Sequence, residues 1–310
     1  MPDNLTTTAE IDAGVEVFYE RTLLETAEPY YPHARFAQSA NLPKGKGKTI
    51  KWRRYNRLAA ATTPLTEGVT PNGSKLSKVD ILATVSQYGD FVHVTDVVDI
   101  TTPDAEITIA TERQSDQMHN TLDVLCKNVL AACASQTTCT SGSGPVTLLN
   151  KTDIDSVVQT LLGGLAKFIT KFLRPGRGQG SAPVSASFWG ILDNDLIDDI
   201  AKVEGWLPVK NYPTDSSKLP EEWGNTGNVR WLRTTEGYKS GDNYHLPILG
   251  ADAYGIVNLA GGNAKSIRKP FGSGGTADPL DQRATVGWKN WQVVKILNDA
   301  FMHVLICTNG

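Results

Sequence analysis

Five histidines and four cysteines are the residues with which this chain could hold a metal or attack a bond, and their spacing supports neither. His33, His93, His119, His245 and His303 form no HExxH or HxxxH pair. Cys126, Cys133, Cys139 and Cys307 form no CxxC that could complete a tetrahedral site. Cys126 and Cys133 stand two helical turns apart, beyond the reach of an unstrained disulfide, so buried free thiols are expected. No GxSxG elbow presents a serine nucleophile. The GKT at 47–49 could close a phosphate loop, but the glycine required five residues before Gly47 is Leu42, and no apolar strand precedes it. RGQG at 177–180 and GSGG at 272–275 lack the strand–loop–helix frame of a dinucleotide site and read as turns. Asp193, Asp195, Asp198 and Asp199 group on a predicted helix as a solvated face. The chain therefore reads as a non-enzyme with no cofactor and no metal.

Charge is concentrated elsewhere. Lys44, Lys46, Lys48, Lys51, Arg53, Arg54 and Arg57 put seven cations into fourteen residues with no carboxylate among them. Residues 49–57 (TIKWRRYNR) partly alternate, with Ile50 and Trp52 on one face, so a strand is expected. A turn-rich stretch with Pro64, Gly68, Pro71 and Gly73 follows, then a second extended run over 79–85. Together they predict a long hairpin. Such a two-stranded ribbon is marginal alone in water and needs a partner.

The opposite charge sits on the next element. Residues 102–134 read as one helix: Pro103 suits the first helical position, and Asp104 and Glu106 favour the positive end of the helix dipole. At about 1.5 Å per residue it would run about 48 Å. Ile107, Met118, Leu122, Leu125, Val129 and Cys133 make a narrow apolar seam, while Glu112, Asp116 and Asp123 share another face. Lys51, Arg53, Arg54 and Arg57 are thus candidates to meet Glu112, Asp116 and Asp123 of another copy. The competing reading is a nucleic-acid patch over 44–57, with Trp52 and Tyr55 interleaved among the cations.

The remaining elements are ordinary. A short helix is expected over 9–25, and an amphipathic helix over 152–173, with Thr152 and Asp155 in the places of a capping box. Another helix is expected over 187–200, and strands over 229–234 and 248–259. A C-terminal β-hairpin over 286–297 and 301–308, turning at Asn298-Asp299-Ala300, would cover the seam of the long helix. The 310 residues allow one large or two moderate domains, and a net charge of -3 does not suggest a general binder of nucleic acid or membrane. No apolar run reaches the length of a membrane span. The N-terminus lacks the basic and apolar regions of a signal peptide, so a cytosolic protein is expected.

GGNAKSIRKP (261–270) and GSGGTADPLDQRATVGWK (272–289) resemble the major capsid proteins of tailed bacteriophages, in the coat-protein family typified by phage N-four. TPLTEGVTP at 63–71, QYGDFVHVTDVV at 87–98 and GADAYGIV at 250–257 extend the resemblance. It implies an α+β chain with the Hong Kong 97 capsid fold. The implied parts are an N-terminal arm (1–46), an extended loop (47–91), a peripheral domain with the spine helix (92–145), an inserted axial domain (146–262) and a peripheral C-terminal hairpin (263–310). The implied partners are other copies in hexamers and pentamers, the portal, packaged double-stranded DNA on the inner face and, in some relatives, a decoration protein. The short arm suggests a separate scaffolding protein. The implied location is the virion, after assembly in the cytoplasm of a bacterial host.

Overall fold

The computed structural model describes residues 30–101, 106–140, 144–170, 186–212, 218–260, 262, 264–275 and 278–310. The helix expected over 9–25 lies outside them. The first half contains β1 (Gln38–Leu42), β2 (Thr49–Tyr55), β3 (Lys78–Thr84), β4 (Ser86–Thr95), α1 (Asp96–Thr101), α2 (Glu106–Ala131) and β5 (Gln136–Thr138). Then come α3 (Lys151–Gly163), β6 (Phe188–Asp193), α4 (Ile197–Lys202), β7 (Trp206–Pro208), β8 (Glu222–Thr226), β9 (Val229–Thr234) and β10 (Tyr238–Ser240). The chain closes with β11 (Asn243–Leu249), β12 (Tyr254–Leu259), β13 (Lys265–Lys269), β14 (Arg283–Ile296) and β15 (Met302–Thr308).

Three sheets result, of five, eight and two strands; the first two are labelled peripheral and axial after the parts that the resemblance implies. The peripheral one is built around β14, whose Ala284, Val286, Trp288, Gln292 and Val294 alternate into the core. β4 runs antiparallel along it from Arg283↔Thr95 to Gln292↔Ser86. On its other side β14 pairs first with β13 and then with β12, and β1 adds to β12 in parallel. α2 lies across the face of the even-numbered β14 residues, where Trp288 Nε1 donates to Gln117 Oε1 at 3.0 Å. Gln117 Nε2 in turn donates to Asp90 Oδ2 of β4 at 2.7 Å, so one side chain ties the helix to two strands.

The axial sheet has eight strands in the order β5-β15-β11-β6-β9-β8-β7, with β10 on β11. Its core joins Ile154, Val157 and Leu161 of α3 to Phe188, Leu192, Trp231, Leu246 and Leu305. Burying each such side chain contributes roughly 1.5–3 kcal/mol. β2 and β3 form the third sheet by themselves.

Several expectations are corrected here. The run SFWGIL is not helical: Phe188, Trp189, Ile191 and Leu192 are all buried in a central strand between β11 and β9, and α-helix begins only at Ile197, after a 3-10 turn over Asn194–Leu196. A short run buried on both faces carries no period to separate strand from helix. The helix expected over 152–173 starts one residue earlier, with Asn150 rather than Thr152 as its cap, and ends at Gly163. Gly164 passes so close to the backbone of Ala300 that a Cβ would lie 2.8 Å from its carbonyl oxygen. Leu165 then takes φ +61, which breaks the helix.

The expected C-terminal hairpin does not form. Asn298 Oδ1 caps a short 3-10 turn over Asp299–Phe301, and β15 leaves for the axial sheet, where it pairs with β11 and β5. With Met302, His303, Val304, Leu305 and Cys307 buried, β15 needs cover on both faces, which a terminal hairpin would not provide. The axial sheet therefore takes β5 and β15 from outside 146–262. β12, inside that range, joins the peripheral sheet, and so does β4 from its start at Ser86.

Candidate functional site: the basic ribbon and the spine helix

The ribbon is rooted by a few apolar side chains. Val85 is 2% exposed, Leu42 is buried beside it, and Ile50 and Trp52 are half-buried against the peripheral sheet. Lys48 Nζ sits 5.2 Å from the centre of the Trp291 ring, a cation–π contact at the base. Beyond this root, every residue from 53 to 80 is exposed. Asn56 closes the shaft, donating from its backbone N–H to Ser77 O at 2.9 Å and from Nδ2 to Ser77 Oγ at 3.0 Å. At the tip Val69 N–H donates to Thr66 O at 3.1 Å, and Gly68, at φ +77, supplies the left-handed residue that the turn requires.

Asp80, which lies outside the basic run, balances part of its charge. It stands opposite Arg53 in the ladder. Lys51 Nζ is 2.6 Å from its Oδ2 and Arg53 Nε is 3.2 Å from its Oδ1. The hydrogen bond from Lys51, with that from Arg53, holds the Asp80 carboxyl below the usual carboxylate range. Arg54 and Arg57 have no ion pair among the described residues; Arg54 lines a shallow groove with Lys295 and Asp299.

The three carboxylates of α2 do not share one open face. Glu112 is exposed. Asp116 is half-buried and accepts from the Tyr31 hydroxyl at 2.9 Å. Asp123 is 1% exposed and sealed within its own chain, so its expected role as an inter-subunit contact is corrected. Its Oδ1 accepts the His33 backbone N–H at 2.8 Å and its Oδ2 lies 2.6 Å from His33 Nδ1. The Tyr254 hydroxyl donates to the His33 carbonyl. The physical reason is that the segment before β1 crosses the helix: Phe36 stacks on Trp189 at 5.2 Å, and Cys126 and Leu130 pack in the same cluster. α2 is thus covered along two sides, and its buried surface is wider than the apolar seam.

His33, Tyr31 and Asp80 were missed in the sequence. Asp80 was within reach of inspection, since pairing the two predicted strands brings it opposite Arg53 or a neighbour. His33 gave no such signal, because its partner lies ninety residues away.

The thiols are chemically quiet. All four cysteines are free and buried. Burial pushes the Cys126 thiol well above its ordinary value, and the Cys307 thiol, together with burial, does the same to Cys139. Among the described residues no three His, Cys, Asp or Glu side chains gather as metal ligands would, and no helix is long and apolar enough to cross a membrane.

No protein-family model matches the sequence, and no curated protein matches it. Solved structures do. The capsid of Ralstonia phage GP4 superposes with a TM-score of 0.71 at 12% identity, covering 99% of both chains. The acidic stable capsid of Helicobacter pylori bacteriophage KHP30 gives 0.68 at 9% identity over 100% of both chains. The capsid of Cyanophage P-SCSP1u gives 0.63 at 10% identity, covering 100% of this chain and 97% of that one. At these identities the likeness shows the fold: the chain has the Hong Kong 97-type fold of the tailed-phage capsid subunits.

Proposed function

We propose that this chain is the major capsid protein of a tailed double-stranded DNA phage, assembling through pentamers and hexamers into an icosahedral head. One observation carries the reading: a chain alike over its whole length to subunits of assembled capsids projects a ribbon whose residues 53–80 are all exposed. An element of that kind is stable only against a neighbour.

Each subunit makes several modest contacts, and closed symmetry multiplies them, so misplaced subunits can leave before the shell closes. Arg54 and Arg57, which have no ion pair among the described residues, supply the charge that meets Glu112, and the outer edge of Asp116, on a neighbouring spine helix. Exposed contacts of this kind are individually weak and screened by salt. Lys51 and Arg53 act first within the ribbon, through Asp80. The packaged DNA and the portal are the partners that this role entails. The protein is then a virion component assembled in the host cytoplasm.

Size-exclusion chromatography with negative-stain imaging tests the reading. Uniform shells, or rings of five and six, are expected. A stable monomer that binds DNA with a steep salt dependence would overturn it in favour of a nucleic-acid module. Within the shell reading, Arg54→Glu with Arg57→Glu should block assembly and leave the monomer folded, and Glu112→Lys with Asp116→Lys should restore it. Asp123 is left unchanged, because replacing it breaks the His33 pair. Normal shells from the first double variant would remove the charge pairing and keep the capsid role.

A further inference from the structure

Two of the four buried thiols face each other across a pair of strands. β5 and β15 run parallel, with Gln136, Thr137 and Thr138 opposite Val304, Leu305 and Ile306. The Cys139 N–H donates to the Ile306 carbonyl at 2.8 Å, which carries the same register one step further and sets Cys139 opposite Cys307. Residues in direct register across a parallel pair point to the same face, and neighbouring strands lie about 4.8 Å apart. A disulfide spans Cα atoms about 4.4–6.8 Å apart. Both side chains are 0% exposed and share one apolar cluster with Leu305 and with Ile154 and Val157 of α3. Cys126 and Cys133 belong to a separate cluster, with Trp189 and Tyr254.

The pair is closed to reagents while β5 is seated. The Cys307 thiol, with burial and the nearby Asp153 carboxylate, holds the Cys139 thiol well above its ordinary value, so almost no thiolate is present. β5, however, has three residues and forms an edge of the axial sheet. Such an edge opens locally at lower cost than a core strand. Past β5 the chain is held by Thr140, whose N–H and hydroxyl donate to Asp153 at 3.3 Å and 3.4 Å, and by the Thr147 N–H, which donates to the Cys139 carbonyl at 3.2 Å. Lifting β5 uncovers both sulfurs while β15 stays paired with β11.

We propose that Cys139 and Cys307 are an oxidisable dithiol, a modification site that closes to a disulfide on reaction with a small-molecule disulfide. The Cys139 thiolate attacks one sulfur of the reagent, forming a mixed disulfide and releasing one reagent thiolate. The Cys307 thiolate then attacks the Cys139 sulfur, the bond between the two cysteines forms, and the second reagent thiolate leaves. The two cysteine protons and two electrons pass to the reagent, which ends as two thiols. The bond ties the link that follows the spine helix to the C-terminal strand. The loop it closes contains everything from α3 to β14, so it constrains the unfolded chain and raises stability. Under the shell reading above, the chain is made in a reducing cytosol and released into oxidising surroundings, so the bond forms after assembly. That timing rests on the shell reading; the bond itself does not.

The intact chain is incubated with excess oxidised glutathione at urea concentrations below its unfolding midpoint, quenched in acid, and labelled with a maleimide in denaturant. The reduced chain has four thiols to label. The oxidised chain should keep only Cys126 and Cys133 labelled and yield a linked Cys139–Cys307 peptide on digestion. Neither Cys139→Ser nor Cys307→Ser should yield that peptide. The oxidised wild type should unfold at a higher urea midpoint than the reduced, and dithiothreitol or either serine variant should remove the difference. All thiols still labelled at every urea concentration, glutathione retained on either cysteine in place of the bond, or a link that includes Cys126 or Cys133 would each overturn the site. A midpoint that does not rise overturns its stabilising role. Particles taken directly from cells should label at all four thiols, and a closed pair there overturns the timing. A chain that forms no shells overturns the shell reading and leaves the bond standing.

Discussion

Arg230 in the axial sheet and Arg53 in the ribbon each face a carboxylate across neighbouring strands, and there the likeness ends. Arg230 and Glu222 have side chains 1% and 0% exposed, joined by Arg230 Nε to Oε1 at 2.7 Å and by the second arm of the guanidinium to Oε2 at 2.5 Å. The Tyr212 hydroxyl and the Leu219 N–H also donate to Glu222, and the guanidinium lies 4.3 Å from the Trp189 ring. Burial, reinforced by Glu222, pushes the Tyr212 hydroxyl well up. Arg53 and Asp80 are 47% and 25% exposed, and Asp80 is shared with Lys51. The first pair is a buried, mutually neutralising set that the core cannot lose one member at a time. The second keeps two strands in register on a surface that water still reaches.

Breaking the buried pair should have the largest effect. Glu222→Ala leaves Arg230 charged in the core and should cost about 3–5 kcal/mol, read as a lower urea midpoint at an unchanged slope. A midpoint that does not move would mean that water reaches Arg230. Next comes the clasp between the N-terminal segment and α2. Asp123→Ala strips two hydrogen bonds from His33 and should cost about 1–3 kcal/mol, with faster proteolysis near residues 30–37.

Acidification sharpens the contrast more gently. Burial lowers both His303 and His245 from an ordinary value of 6.5, so the unfolded chain takes up protons first as the pH falls. The stability that these neutral rings contribute is complete above that value and is lost as the pH drops below it. Urea midpoints at about pH 7.5 and pH 5.5 should therefore fall toward acid, and less steeply in His303→Gln. The smallest effect on folding belongs to the ribbon. Replacing 58–76 by a short glycine turn should change stability by under about 0.5 kcal/mol while abolishing shells. A large loss of stability would show that the tip packs on its own chain.

Legibility in the sequence followed the range of the interaction. The strand over 229–234 is found at β9 because its limits are local, and the two extended runs of the ribbon are recovered as β2 and β3 for the same reason. The long helix was legible in its periodicity, and α2 runs from Glu106 to Ala131 within the expected span. Residues 187–193 were misread because a run buried on both sides has no period. Asp123 was misread because an acidic residue on a helix looks alike whether it meets water or His33.

By itself the sequence determined the concentration of cations at 44–57, the turn-rich tip that buries no apolar face, the long spine helix and the quiet spacing of its thiols. These depend on residues near one another in the chain. Tertiary structure decided which sheet each strand joins, that β14 and β15 part company at Asn298, and that one carboxylate of three is consumed by the chain's own arm. A strand's pattern says that it needs a neighbour on a given face, but the choice of neighbour is a competition among distant segments. Only the packed chain resolves that competition.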